Sequence, residues 1–202
     1  MTPTHVTIVP SAGHCDDGGK YTRGRTVDTT AEVDVVDRYV QTLDETLEEF
    51  GVSHNIMATR GSPGIMESQR AACARKNSII LELGVGWFEN TPKRNHSEVY
   101  YGADVSRQLA QSVAETIGDW GRCTCFSHVT GTPKKSTKPI LCVAGTMGIR
   151  IEPFALNGPN YNDYLPRVAP LGRYIAITVS EFIALNNESA GHHPFTMSAW
   201  AR

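Results

Sequence analysis

Read for the spacing of apolar and polar residues, the chain alternates short apolar runs with amphipathic ones. "HVTIVP" is a short apolar run closed by Pro10 and the turn Ser11-Ala12-Gly13, which predicts a buried strand. A loop rich in Gly, Thr and charge follows. Val33, Val36, Val40, Leu43, Leu47 and Phe50 then recur at steps of three and four, so they share one face of a long helix. Thr29 or Thr30 can cap that helix, and Gly51 ends it. "SHNIMATR" predicts a second strand, and "SPGIMESQRAACARKN" a second helix with Pro63 near its start. "SIILELGVGW" reads as a third strand, apolar on both faces as a central strand should be. "SEVYYG" predicts another strand, and "ADVSRQLAQSVAETIGDW" an amphipathic helix with an Asp cap. "GRCTCFSHVTGTPKKSTKP" reads as a loop, "ILCVAGT" and "MGIRIEPF" as strands, and "YNDYLPRVAPLGRYIAITVSEFIALN" as a last helix, regular from near Pro170.

Alternation of this kind predicts an α/β three-layer sandwich, its mainly parallel mixed sheet flanked by helices. We expect one domain over residues 1–188 and a polar tail over 189–202, docking through Phe195 and Trp200 if ordered. The net charge of -2 gives no electrostatic case for nucleic acid or an anionic membrane surface as the main partner. No apolar run approaches the roughly 20 residues that span a bilayer, and "MTPTHVTIVP" lacks the basic start and long apolar core of a signal peptide. The expectation is a chain that is cytoplasmic at synthesis. Five cysteines, an odd number, point to reduced thiols, with Cys73 and Cys142 as small core residues. The Cys123-x-Cys125 pair is half of a zinc clip, and no second pair with metal spacing follows it. No pattern in the chain identifies an oligomer interface.

Ligands of such sheets bind at the carboxyl ends of the strands, which is where "TIVPSAGHCDDGGKY" falls. A phosphate loop needs Gly, four residues, then Gly-Lys and a hydroxyl; here His14 stands at the first position and Tyr21 at the last. A dinucleotide fingerprint also fails, because the helix begins too far downstream. A metal reading does better. His14 follows the strand directly and Glu32 lies in the first turn of the long helix, two donors of the three that hydrolytic zinc takes. Spacing leaves the alternative open, with His14 a hydrogen-bonded turn residue and Glu32 a favourable charge at a helix N-terminus.

The order of the pieces "VPSAGHCDDGG", "TTAEVDVVDRYVQTLDETLEEFG", "ATR", "ESQRAACARKN", "SEVYY" and "IRIEPFALN" resembles the zinc-dependent N-acetylmuramoyl-L-alanine amidases, the family of bacterial cell-separation amidases and many phage lysins. The resemblance runs from about His5 to about Asn186. It implies that His14 and Glu32 bind zinc and that Glu152 is the catalytic acid or base. Thr59, Arg60 and Arg70 map onto positions taken as structural. Zinc would lower the pKa of a bound water and polarise the carbonyl of the bond between the muramoyl lactyl group and L-alanine.

The chain departs from this pattern where the family carries its third ligand, a His in "S-I-H-x-N". Leu83 or Gly84 stands there, and neither binds zinc. Cys15 also replaces the usual Gly. Glu82, inside the strand, is expected to face a packed side or to pair with Arg or Lys. The resemblance therefore implies a degenerate amidase-like domain that binds peptidoglycan or serves as a structural virion or tail component. The alternative is an active lysin drawing a substitute ligand from His96, His128, His192 or His193.

Overall fold

The structure is a computed structural model that describes residues 3–11, 14–15, 21–57, 78–87, 95, 97–119, 124–128 and 147–189. In chain order, β1 (His5–Pro10) is followed by the small pairs β2 (His14–Cys15) with β3 (Tyr21–Thr22) and β4 (Thr26–Val27) with β5 (Thr30–Ala31). Then come α1 (Glu32–Glu49), β6 (His54–Ile56), β7 (Ser78–Leu83), β8 (Ser97–Tyr101), α2 (Arg107–Asp119), β9 (Thr124–His128), β10 (Met147–Glu152) and α3 (Val168–Ser189).

Six strands form one sheet in the order β6-β1-β7-β10-β8-β9. Every neighbouring pair is parallel except β10 with β8. This is the expected α/β architecture, a mixed and mostly parallel sheet flanked by helices. Register explains how the sheet divides. Val6, Ile8, Ile79, Leu81, Leu83, Ile149, Ile151, Val99 and Tyr101 share one face and join the helices' apolar residues in a single core. The other face carries Thr7, Glu82, Arg150, Glu152, Tyr100 and Glu98. A sheet that reads as apolar in sequence thus has a polar row across its middle.

The helices pack on one another as well as on the sheet. Gly172 of α3 lies against the backbone of Tyr39 and Leu43 in α1. By length and composition α3 could cross a membrane, but its Val168, Leu171, Ile175, Val179, Phe182 and Ile183 are buried in the core, as in a helix of a folded domain. Tyr39, itself fully buried, donates a hydrogen bond from its hydroxyl to the Gly84 carbonyl at 2.6 Å and so ties α1 to the carboxyl end of β7. Burial pushes the Tyr39 phenol well above its ordinary pKa, against the pull of Arg150, so the hydroxyl keeps its donor proton. Tyr39→Phe, which removes this donor from Gly84, is expected to lower stability by about 1 kcal/mol in denaturant unfolding.

Several sequence expectations shift. Thr30 does not cap α1: it pairs in β5, and Ala31 stands at the N-cap with no side-chain cap bond. Asp104 does not cap α2 either, because residues 104–106 make a 3-10 turn that leads into it. The last helix starts at Val168, two residues before Pro170, and Pro166 sits in the 3-10 turn Leu165–Arg167. The segment read as a loop contains β9, an edge strand that bonds only to β8, so it needs no apolar run. Gly51 ends α1 with φ +65°, the left-handed conformation that favours glycine. The second helix around Arg70, the strand "ILCVAGT", Thr59 and Arg60, Cys73, Cys123 and Cys142, His96 and the tail from 190 lie outside the described residues.

Candidate functional site

At the carboxyl ends of the central strands, three of them contribute to one buried cluster. Glu82 of β7 and Arg150 of β10 are register partners, and Glu152 lies two residues along β10 on the same face. The Arg150 guanidinium binds both carboxylates: Nε donates to Glu152 Oε1 at 2.6 Å and Nη1 donates to Glu82 Oε1. Nη1 also donates to the Ser11 hydroxyl at 2.9 Å, just beyond the end of β1. Glu82 is 2% exposed and Glu152 7%, so the carboxylates depend on this cation for compensation. Burial alone would lower the guanidinium's pKa, but the attraction of Glu82 and Glu152 outweighs it and leaves the pKa above its ordinary value. The guanidinium therefore keeps its charge across the accessible pH range. Beside it, Tyr100 donates to Glu98, and burial together with that bond raises the Tyr100 phenol far above its ordinary pKa.

The end of β7 explains where the guanidinium fits. A Cβ placed on Gly84 would lie 3.0 Å from Arg150 Nη2, so the Arg150 head group takes the space into which a side chain at 84 would grow. Leu83, the other register for a third ligand, is a fully buried core residue. Beyond Gly84 the chain is clamped. Gly86 N–H donates to the Phe154 carbonyl at 2.8 Å, and Leu156 N–H donates to the Gly86 carbonyl at 2.9 Å. Asn95 grips Ala155 in both directions, and Ser97 donates to the Pro153 carbonyl at 2.6 Å. Glu152 is thereby held between a paired strand and a doubly tethered segment.

Glu32 opens α1, as expected, and its amide donates to the Arg25 carbonyl at 2.9 Å. Its side chain folds over Gly24, whose φ of +77° and missing Cβ leave room for it. Two contacts anchor the neighbouring β4–β5 hairpin: Arg25 stacks 4.9 Å from the centre of the Trp87 ring, and Tyr161 donates to Asp28 Oδ2 at 2.5 Å. His14 lies in β2 with its backbone paired to Thr22; its side chain and that of Cys15 lie outside the described residues. His128 belongs to β9, opposite Tyr101, rather than to a loop, and its side chain is likewise outside them.

Whether zinc suits these residues can be asked of the donors. Among the described residues, no three His, Cys, Asp or Glu side chains come together as a metal requires. Positions 83 and 84 supply none, and two acidic side chains at the strand ends are already bound to a guanidinium. Of the two ligands that the resemblance implies, the described residues include the side chain of Glu32 alone. Sequence reasoning anticipated the pairing of Glu82 with a basic residue, but it missed Arg150 as that partner. The signal was present: "RIE" puts a base and an acid on one face of a strand whose alternate residues are Ile.

No protein-family model matches the sequence, and no curated protein matches it either. Solved structures do. The chain is similar to the N-acetylmuramoyl-L-alanine amidase AmiC2 of Nostoc punctiforme, with 19% identity over 89% of this chain and 96% of that one and a TM-score of 0.70. The CwlD amidase of Clostridioides difficile, solved in complex with the GerS lipoprotein, matches at 15% identity over 89% and 98%, TM-score 0.69. An N-acetylmuramyl-L-alanine amidase of Mycobacterium smegmatis matches at 11% identity over 90% and 98%, TM-score 0.71. The fold is that of these amidases, over nearly their full length.

Proposed function

We propose that this chain is an amidase-fold protein with an incomplete hydrolytic centre, whose retained role is to bind cell-wall peptidoglycan as a phage-type wall-binding or structural virion component. The observation that carries this reading is Arg150, bound to Glu152 and Glu82 and standing over Gly84. In the amidase chemistry that the resemblance implies, His14 and Glu32 would hold a zinc ion that would supply Lewis acidity at the scissile carbonyl, and Glu152 would pass a proton to the leaving amine. Glu152 is instead the acceptor of a charge-assisted hydrogen bond that points its Oε1 at Arg150. A guanidinium also repels a divalent ion by roughly 7 kcal/mol at about 5 Å with an effective dielectric near 20. That is a large part of the affinity that a site with a reduced donor set could supply. Peptidoglycan as the ligand is supported by the fold, since the similar structures are wall amidases.

The setting that goes with this reading is synthesis in the cytoplasm followed by packaging in a virion or release by lysis. Three measurements on the purified chain test the function. Metal analysis without chelator is expected to give far less than one zinc per chain. Dye-labelled peptidoglycan is expected to release no dye, yet to carry the protein down on centrifugation. One tightly held zinc per chain, with dye release that disappears in His14→Ala, would overturn the reading and favour the active lysin.

A further inference from the structure

Three oxygens from three neighbouring strand ends converge on one guanidinium: Ser11 Oγ, Glu82 Oε1 and Glu152 Oε1. A fourth, Oε2 of Glu82, is buried with no hydrogen-bond partner among the described residues. Burying a carboxylate this deeply is costly unless a cation or hydrogen-bond donor is held close to it. Hard oxygen donors of this kind are what Mn2+ or Ca2+ takes, in contrast to the nitrogen and sulfur ligands that favour zinc.

We propose that Arg150 is the resident cation of an oxygen-lined cation site built from Ser11, Glu82 and Glu152, neutralising it as a bound divalent ion otherwise would. The inference rests on the incomplete-centre reading and adds the identity of the cation that the buried strand-end carboxylates hold. Arg150 is thereby a positioning residue for Glu152, and the site is independent of free metal. Its planar fork suits the task, because Nη1 bridges Ser11 and Glu82 while Nε reaches Glu152, a geometry that a lysine ammonium cannot reproduce.

The test is chemical rescue followed by thermal unfolding. Arg150→Ala should lower Tm by about 8 °C, since it removes the cation that both buried carboxylates bind. Millimolar Mn2+ or ethylguanidinium should each restore about 5 °C to Arg150→Ala and leave the wild type unchanged. Arg150→Lys should recover less than half of the loss. A neutral variant, Arg150→Met with Glu82→Gln and Glu152→Gln, removes the buried charge altogether and should unfold several degrees above Arg150→Ala. The proposal fails if Arg150→Ala melts with the wild type, if neither cation shifts it, or if the neutral variant is no more stable than Arg150→Ala. Zinc held by the wild type would overturn the incomplete-centre reading itself. A zinc-free wild type beside a cation-insensitive Arg150→Ala would overturn only the present inference.

Discussion

Gly172→Ala is expected to lower the stability of this protein by about 4 kcal/mol, equivalent to a fall of roughly 12 °C in Tm for a chain of this size. Helix propensity alone argues the other way, since alanine in place of a helical glycine gains about 1 kcal/mol. Close packing decides the sign. A Cβ at 172 would overlap the carbonyl oxygen of Tyr39 and stand 3.0 Å from the Leu43 nitrogen. Both are backbone atoms of α1, so no side chain can swing aside, and α1 and α3 must separate. That separation opens gaps around Leu43, Leu171, Ile175 and Val179, all fully buried. Differential scanning calorimetry of the variant checks the prediction, and a Tm at or above that of the wild type would show that the helices part at little cost.

The same two helices show what a one-dimensional pattern carries and what it leaves out. The apolar stripe of α1 is a local property, repeated every three or four residues, so it can be read without knowing what it packs against. Gly51 is equally legible, because the left-handed turn at a helix end favours one residue type. Gly172 is not legible: nothing local distinguishes a glycine that admits a neighbouring helix from one that merely weakens its own. Thr30 and Asp104 resembled caps by residue type, but a hairpin and a 3-10 turn claimed them first. β9 escaped because it pairs on one side only, so its sequence shows neither an apolar run nor a strong alternation.

The candidate site divides along the same line. His14, Glu32 and Glu152 stand out through short motifs in order along the chain, and Glu82 through being an acid in an apolar strand. Arg150 needed the sheet. Its tie to Glu82 links residues 68 positions apart and its tie to Ser11 residues 139 apart, and only parallel register of β1, β7 and β10 brings them together. The room that Gly84 leaves beside β7 and the Arg150 guanidinium that takes it are thus one feature in three dimensions, although they are two unrelated letters in sequence.

Phe154→Ala should also cost about 4 kcal/mol, and its damage should be local to the site before it is global. The ring is 1% exposed and stacks on Tyr164 with centroids 5.3 Å apart and planes 12° from parallel. Truncation removes that contact and leaves a ring-sized cavity beneath the segment that follows Glu152. The segment is otherwise held by backbone bonds between Gly86 and Phe154 and between Leu156 and Gly86, and by the Asn95 clamp on Ala155. Those bonds survive the substitution in kind, but the core that fixes their geometry does not. Hydrogen exchange should therefore find faster opening at the Gly86 and Leu156 amides than at the β1 and β7 amides. Equal acceleration everywhere would mean that Phe154 supports the fold as a whole and has no special hold on the strand end where Glu152 meets Arg150.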